Sequence, residues 1–401
     1  MAVYLDHAAT TPMLPEAIRA FTDAMSLVGN PASIHSQGQQ ARRLLEESRE
    51  TVAAALDCEP IEVVFTSGGT EAINLGIKGL YWERNRGDSA RPRILVAGGE
   101  HHATIDTVEW LERFEGARVE ELPLDARGRI DLAAAEVALR TDPESVALLT
   151  FLWANNEVGT IEPVEELAAL AASVGVPVHV DAVAAFGHTP VSFRLAAAAG
   201  VSALSVSAHK VGGPVGIGAL VLARRATVVP LIHGGGQQRQ VRSGTQDVAA
   251  AAAFAVAARA ATEGLEPTAE RLSALRDRLI LGVRDLVPDA RLSGPEPGPE
   301  RLPINAHFTF PGCEGDSLLF LLDAAGVCVS TGSACQAGIP EPSHVLRAMG
   351  VDESDARGAL RFTLGHTSTV DDVDALLAAL PAAYASASRA GLADRAVSLG
   401  H

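Results

Sequence analysis

The sequence predicts an α/β protein with a mostly parallel sheet covered by helices on both faces, followed by a smaller α+β domain. Short apolar runs alternate with stretches of helical apolar spacing over about residues 63–225. Strands that are separated by helices pair in parallel, which is the second basis of this prediction. Beyond this region the alternation weakens. We therefore expect a large domain over 16–260 and a small domain over 1–15 and 261–401.

Each element is assigned from its local pattern. Apolar runs bounded by polar or glycine residues predict strands over 63–66, 94–97, 146–152, 176–180 and 203–206. Helical spacing predicts helices over 15–25, 41–56, 71–80 and 104–114, with one helical stretch from about 247 into the 280s. In the small domain we predict strands near 306–310, 327–330 and 359–364.

Composition indicates a globular protein. Of the 401 residues, 47% are hydrophobic and 20% are charged, and the formal net charge is −17. This charge argues against nucleic acid or an anionic membrane as a direct partner. The longest apolar run, 248–258, is shorter than the roughly 20 residues of a membrane span. Because the first residues lack a basic segment followed by an apolar one, we expect no secretory signal and a cytoplasmic protein.

Four cysteines are present, and none forms a C-x-x-C pair, so we predict no metal site of the zinc type. Small, polar and glycine residues surround Cys335, and an exposed thiol in such a segment fits a nucleophile. Cys328 lies between two valines and is predicted to be an inert residue of a strand. Cys58 and Cys313 receive no role.

Polar residues follow the carboxyl ends of the predicted strands. In open α/β sheets, ligands bind at this edge. The residues placed there are Gly69, Thr70, His101, Asn156, Asp181 and Lys210. The pattern predicts a ligand site without specifying the ligand.

Lys210 is the residue on which the functional interpretation rests. A lysine at the end of a buried strand is poorly solvated, so its amine loses its proton readily. A neutral amine can form a Schiff base with a carbonyl, and pyridoxal phosphate is the commonest carbonyl cofactor held in this way. Ser207 and His209 could hydrogen-bond its phosphate. A single lysine in a loop after a strand is more often a surface residue. Residues elsewhere in the chain are therefore needed to distinguish a Schiff-base lysine from a surface lysine.

The turn 67–70 lies between a strand and a helix, where glycine N–H groups and the helix start favour an anion. Its alternative is a plain tight turn. Asp181 could hold the pyridine nitrogen of the cofactor in its protonated form, or could be a helix N-cap.

His101 could stack on the cofactor ring and transfer protons, or could be a surface loop residue. A metal site made of His101 and His102 is disfavoured because adjacent residues rarely face one ion. Arg361 could bind the α-carboxylate of a substrate through two hydrogen bonds, or could form an internal salt bridge.

Ten motifs, in order along nearly the whole chain, extend these observations. They are YLDHAATTP (4–12), NPAS (30–33), FTSGGTE (65–71), EHHA (100–103), NNEVG (155–159), HVDA (179–182), SAHK (207–210), HGGG (233–236), RSGT (242–245) and GSAC (332–335). In them the chain resembles the NifS/IscS-like cysteine desulfurases of the class V aminotransferase group. The resemblance implies a fold-type I pyridoxal phosphate enzyme that forms a homodimer with its sites near the subunit interface.

Carried over by position, the resemblance implies a role for each of these residues. Lys210 would be the Schiff-base lysine, Asp181 the partner of the pyridine nitrogen, and His101 the stacked acid/base. Asn156 would contact the phenolic oxygen of the cofactor. Arg361, together with Asn156, would bind the substrate, with the guanidinium holding its carboxylate.

The phosphate would be held by Gly69, Thr70, Ser207 and His209. Thr245 would reach it from the other subunit.

Cys335 would attack the sulfur of L-cysteine bound to the cofactor and take it as a persulfide, leaving alanine. The sulfur would pass to acceptor proteins for iron–sulfur clusters or tRNA thiolation, and less readily to DNA phosphorothioation. The stretch from Cys335 to His344 resembles the longer loop of the IscS-like branch.

Two positions depart from the family pattern. Ala184 replaces a glutamine that helps to hold the phenolic oxygen, and Ile73 replaces an aspartate. Two alternatives follow: a lyase or aminotransferase in which Cys335 is incidental, and a degenerate, non-catalytic partner in a sulfur-transfer complex.

Overall fold

The structure, a computed structural model, describes residues 2–86, 90–332 and 342–395, with side chains described as far as residue 389. The strands are β1 (Val3–Tyr4), β2 (Val63–Thr66), β3 (Arg93–Ala97), β4 (Arg118–Leu122), β5 (Val146–Leu152), β6 (Val178–Asp181), β7 (Val201–Ser207), β8 (Gly218–Leu222), β9 (Arg291–Leu292), β10 (Asn305–Thr309), β11 (Val327–Cys328) and β12 (Ala359–Thr363).

The α-helices are α1 (Pro15–Met25), α2 (Ser36–Ala55), α3 (Gly69–Arg84), α4 (His102–Glu115), α5 (Leu132–Arg140), α6 (Val164–Ser173), α7 (Phe193–Ala199), α8 (Val248–Glu263), α9 (Leu265–Leu286), α10 (Gly315–Ala324), α11 (His344–Ala348), α12 (Glu353–Ala356) and α13 (Val370–Arg395).

A seven-stranded sheet forms the centre of the molecule, with the order β2-β8-β7-β6-β5-β3-β4. All neighbouring pairs are parallel except those made by β8, which runs antiparallel to β2 and β7. The inner strands β5 and β6 are fully buried, as their continuous apolar runs predict. The predicted α/β class with a mostly parallel sheet is therefore confirmed.

Two strands of this sheet are missing from the sequence-based assignment. β4 contains Arg118, Glu120 and Glu121, which conceal its strand character, and it lies at the edge of the sheet, where charged side chains reach solvent. β8 follows the glycine-rich stretch after Lys210 without an intervening helix. The alternation of strands and helices therefore fails at this point.

Helix bounds agree best where the local signal is strong. α1 spans the predicted residues, with Pro15 at its first position. α2 begins at Ser36, earlier than the expected residue 41, because its polar first turn lacks apolar residues. The single stretch predicted from 247 into the 280s is two helices, α8 and α9, which are bent by 72°.

Within the described residues, no single helix is long and apolar enough to cross a membrane, and only the bent pair α8 and α9 passes such a test by length and composition. Eight residues of α8 are buried in the protein.

Two smaller sheets complete the fold. The strands β12, β10 and β9 form an antiparallel sheet in that order, and β1 pairs with β11 in parallel. An isolated bridge joins Asp6 to Thr363. The first residues of the chain therefore lie beside strands that are more than three hundred residues away in sequence. The division into domains over 16–260 and over 1–15 with 261–401 stays a prediction.

A row of buried polar side chains fixes the register of three central strands. His179 Nδ1 lies 2.9 Å from Thr150 Oγ1, and His179 Nε2 lies 2.9 Å from Ser205 Oγ. Burial lowers the pKa of His179 to about 3, so the ring is neutral at physiological pH. A shift of β6 by one residue relative to β5 and β7 would break both hydrogen bonds. The row therefore helps to hold β6 in register, and with it Asp181 at the end of β6.

The close contact of β8 with the turn before α3 leads to a stability prediction. A Cβ atom at Gly218 would lie 2.5 Å from the carbonyl oxygen of Val206 and 2.7 Å from the carbonyl carbon of Gly68. We expect Gly218→Ala to lower the free energy of unfolding by about 1–3 kcal/mol, because backbone atoms must move. Denaturant unfolding followed by circular dichroism measures this change.

Gly298→Ala is the matched control, since a Cβ atom there would meet only the carbonyl oxygen of Glu296 at 3.9 Å. Its effect should stay within about 0.5 kcal/mol. Equal stability of the two variants would show that the contact at Gly218 is unimportant.

Candidate active site

A cavity of about 390 Å³ opens at the carboxyl ends of the parallel strands, where the sequence predicts a ligand site. Its volume lies within the range of small-molecule sites, roughly 300–1,000 Å³. The predicted site residues that line it are Gly69, Thr70, His101, Asn156, Asp181, Ser207, His209, Lys210 and Arg361. Thr245 is exposed outside this cavity. Cys335 lies outside the described residues.

Lys210 ends a short 3₁₀ turn that follows β7 directly. Its Nζ donates hydrogen bonds to the carbonyl oxygens of Ala8 and Ala9, the latter at 3.0 Å. Burial and then the positive charge of Arg361 lower the pKa of Lys210 to about 8, against the opposing charges of Asp181 and Asp6. Near neutral pH a substantial fraction of this amine is therefore unprotonated, as a nucleophile requires.

Asp181 is the last residue of β6 and is 2% exposed. Burial raises its pKa to about 6, while a hydrogen bond from the Val183 N–H (2.9 Å to Oδ1) and the charge of Lys210 act in the opposite direction. The alternative of a helix N-cap fails, because the next helix begins at Phe193 and is capped by Ser192.

Glu100 is a second buried carboxyl group in the cavity wall, and the sequence analysis gave it no role. Its Oε1 accepts a hydrogen bond from the Leu152 N–H at 2.9 Å. Burial raises the pKa of Glu100 well above its ordinary value, and the charge of Asp181 raises it further. Burial therefore favours the protonated form of Glu100, beside Asp181, whose pKa of about 6 leaves it ionised at neutral pH.

His101 caps α4 with its side chain. Nδ1 accepts a hydrogen bond from the Ala103 N–H at 3.0 Å, so the proton of the neutral ring must be on Nε2. Burial lowers the pKa of His101, and the positive charge of Lys210 lowers it to a smaller extent. The ring therefore meets the cavity as a neutral donor, and it can accept a proton only if the Nδ1 bond to Ala103 breaks.

Ser207, Gly69 and the start of α3 form a place for an anion. Ser207 Oγ is buried and, among the described residues, has no hydrogen-bond partner. α3 begins at Gly69, so its first N–H groups are free to bind an anion. A Cβ atom at Gly69 would lie 2.9 Å from Val183 Cγ2, so this close approach favours glycine. A phosphate-sized anion fits these donors.

Arg361, on β12, is 5% exposed and lies at the opposite wall. Nη2 donates to Asp6 Oδ1 at 3.0 Å and Nη1 donates to the carbonyl oxygen of Asn156 at 2.9 Å. Nε is buried without a partner in the described part of the chain. The internal salt bridge that we considered as the alternative is thus present, although the Nε–H remains for an incoming carboxylate.

Several cavity residues were not assigned from the sequence, including His7, Glu157 and His188. Asp6, which pairs with the cavity residue Arg361, was not assigned either. Asp6 and His7 belong to the motif at 4–12 that carries the family resemblance. The sequence therefore marked both residues, but it gave no chemical role to either of them. Ile73 and Ala184, the two departures, also line the cavity. Among the described residues, no three His, Cys, Asp or Glu side chains are grouped to hold a metal ion.

Direct titration of Lys210 tests these electrostatics. The sequence contains two lysines, Lys78 and Lys210, so competitive acetylation followed by peptide mass spectrometry resolves each one. Because burial and the charge of Arg361 disfavour the ammonium form, we expect half-maximal reactivity of Lys210 near pH 8.

Arg361→Gln should shift this midpoint upward, because it removes a positive charge and leaves Asp6 unpaired. A midpoint near the ordinary value of 10.5, unchanged in the variant, would contradict the proposed environment.

Comparison with known proteins agrees with this site. The family model described as Aminotransferase class-V matches residues 3–376. An IscS-like cysteine desulfurase of Mycobacterium tuberculosis is 53% identical over 97% of this chain and 98% of its own length. A cysteine desulfurase IscS of Dictyoglomus turgidum is 41% identical over 93% of this chain and 92% of its own length.

Solved structures give the same result. A NifS-like protein is similar with a TM-score of 0.87 and 34% identity, covering 96% of this chain and 100% of that structure. The fold is therefore the fold-type I arrangement predicted above. The chain belongs to the class V aminotransferase family and, within it, to the NifS/IscS-like cysteine desulfurases.

Proposed function

We propose that this protein is a pyridoxal phosphate-dependent cysteine desulfurase that converts L-cysteine to L-alanine and carries the sulfur as a persulfide on Cys335. The observation that carries the proposal is the Lys210 amine, whose pKa is lowered to about 8 in a cavity shared with Asp181 and Arg361. A poorly solvated amine, a buried carboxylate and an anion cradle in one cavity suit this cofactor.

The residues present fit pyridoxal phosphate. Gly69, Thr70, Ser207 and His209 would hold the phosphate, since Ser207 Oγ lacks another described partner and α3 begins at Gly69. Thr245 of a second subunit would complete this cradle, in keeping with a homodimer. When bound, the cofactor supplies an aldehyde and an electron-withdrawing ring that stabilises negative charge beside the substrate's amino group.

The remaining cavity residues would hold the rest of the cofactor. Lys210 would hold the aldehyde carbon through Nζ, and Asp181 would accept a hydrogen bond from the protonated ring nitrogen. Asn156 would contact the phenolic oxygen. Because the pKa of Asp181 is about 6, the carboxylate facing the ring would carry a negative charge at neutral pH.

L-Cysteine would be bound through its carboxylate by Arg361, whose Nε has no other partner among the residues described. His101 would donate a hydrogen bond from Nε2 to groups over the cavity, and its action as an acid/base would require the Nδ1 bond to Ala103 to open. The Cys335 thiolate attacks the substrate sulfur, and the carbon–sulfur bond breaks. The carbon takes the electron pair and a proton, giving alanine, while Cys335 is oxidised to the persulfide.

The persulfide sulfur would pass to acceptor proteins for iron–sulfur clusters or tRNA thiolation, with DNA phosphorothioation as the alternative destination. The net charge of −17 suits a basic acceptor protein and disfavours direct binding of nucleic acid or a membrane. A cytoplasmic location is part of this proposal, because the cytoplasm keeps the thiol of Cys335 reduced.

Replacing Cys335 by alanine tests the sulfur-transfer step. After incubation with L-cysteine, we expect one added sulfur on Cys335 of the unmodified protein, measured by mass spectrometry. In Cys335→Ala, alanine formation should fall by about 100-fold or more, because the nucleophile is gone.

Cys328→Ala is the control, since Cys328 on β11 lies outside the cavity. Unimpaired alanine formation in Cys335→Ala would instead support a lyase or aminotransferase. A protein that stays colourless after incubation with pyridoxal phosphate would support the non-catalytic partner.

Ala184→Gln tests the departure from the family pattern. Ala184 lines the cavity without a side-chain donor, and glutamine would add one hydrogen bond to the cofactor. We expect tighter binding by about 0.5–1.5 kcal/mol, or roughly two- to tenfold, in cofactor titrations followed by visible absorbance. Ala184→Leu, which adds volume without a donor, should not tighten binding, and equal tightening in both variants would exclude a hydrogen bond.

A further inference from the structure

Glu157 is a buried carboxylate whose backbone is held from both sides. Its N–H donates to Asn155 Oδ1 at 2.9 Å, and its carbonyl oxygen accepts from Asn305 Nδ2 at 2.8 Å. The residue is 2% exposed and lines the cavity next to Asn156, whose carbonyl oxygen accepts from Arg361. The position of this carboxylate is therefore fixed relative to the proposed substrate site.

One oxygen of this carboxylate holds the chain just after residues 333–341. Ser343 Oγ donates to Glu157 Oε2 at 2.5 Å and accepts from the Leu346 N–H at 3.2 Å, where it caps α11. Ser343 is 1% exposed. Because a short hydrogen bond to a buried carboxylate is a strong one, Ser343 is firmly attached to Glu157.

The same oxygen lies against the chain just before residues 333–341. A Cβ atom at Gly332 would lie 3.4 Å from Glu157 Oε2 and 3.3 Å from His307 Nε2. Gly332 has a φ of +85°, which strains any residue with a side chain. A Cβ atom at Gly332 would therefore be in tight contact with both the carboxylate and the imidazole, and the positive φ itself favours glycine.

His307 is the second side chain that lies close to Gly332. It is fully buried, and neither ring nitrogen has a hydrogen-bond partner within the described ranges. It lies opposite Arg361 in the β10–β12 register, and Ser330 lies opposite Arg361 on the other side. Directly opposed residues lie on the same face of a sheet, so His307, Arg361 and Ser330 form one row on that face. The row ends two residues before Gly332.

We propose that Glu157 is a positioning residue for sulfur transfer, because its carboxylate binds Ser343 just after residues 333–341 and lies close to Gly332 just before them. This inference rests on the proposed function, in which Cys335 receives the sulfur. It makes Glu157 a link between that cysteine and Arg361. Glu157 itself need not touch the substrate.

Ser343→Ala removes the donor to Glu157, and Glu157→Ala removes the acceptor. Each variant is loaded with pyridoxal phosphate and mixed with L-cysteine. Two quantities are measured: the cysteine concentration that gives half of the change in cofactor absorbance, and the single-turnover rate of sulfur appearance on Cys335 by mass spectrometry. We expect a loss of about 10- to 100-fold in the second, as misplacement of a reacting group produces, and a change within about twofold in the first.

Ser192→Ala is a matched control. Ser192 Oγ donates to Asp57 Oδ2 at 2.5 Å and accepts from the Leu195 N–H at 3.2 Å, the same arrangement at α7. Neither Ser192 nor Asp57 lines the cavity. The melting temperature of Ser192→Ala should fall about as much as that of Ser343→Ala, while its rate of sulfur transfer should equal that of the unmodified protein. Glu157→Gln keeps an oxygen that can accept from Ser343 and should recover most of the rate.

The proposal is overturned if Ser343→Ala and Ser192→Ala transfer sulfur at the same rate, or if the cysteine-dependent absorbance change is lost in parallel with the transfer rate. It is also overturned if Glu157→Gln is as slow as Glu157→Ala, since charge and not position would then be responsible. Failure of the unmodified protein to form a persulfide would reject the proposed function itself, which distinguishes the two failures.

Discussion

The buried guanidinium of Arg361 is the constraint on which the arrangement of the site depends. A charged group removed from water needs an opposite charge and hydrogen-bond acceptors around it, and removing one of these partners is costly. Here the partners are Asp6 and the carbonyl oxygen of Asn156, which come from the start of the chain and from the loop after β5. The charge of one side chain thus attaches both segments to the small sheet. The carbonyl groups of Ala8 and Ala9, just beyond Asp6, then meet the amine of Lys210.

The same charge also tunes the chemistry of its neighbours. In a poorly solvated cavity, charges influence each other more strongly than in water. Arg361 and burial both lower the pKa of Lys210, whereas Asp181 and Asp6 raise it, and the balance lies at about 8. Burial and the charge of Asp181 both raise the pKa of Glu100, which favours the neutral form of Glu100 beside Asp181. A reactive amine and an ionised carboxylate therefore coexist near neutral pH because of the groups around them.

Structural restraints on the cavity come from buried polar contacts between strands and loops. The row Thr150, His179 and Ser205 fixes three strands in register beneath the site. Glu157 makes a similar buried polar contact near the small sheet, where it accepts a hydrogen bond from Ser343 and lies close to Gly332. Such contacts add specificity at a cost in desolvation, so they are expected where exact placement matters for function. Ala184, by contrast, lines the cavity without a polar side chain.

The sequence by itself determined the α/β class, the bounds of strongly patterned elements such as α1 and β5, and the clustering of polar residues at one sheet edge. These follow from local periodicity and from the rule that parallel strands share an edge. Only the tertiary structure decided the antiparallel course of β8, the bend between α8 and α9, and the contacts of Arg361 with Asp6 and of Glu157 with Ser343. These pairs lie 355 and 186 residues apart in the chain. Their formation depends on which polar groups become buried together when the sheets pack, and no local pattern of residues encodes that.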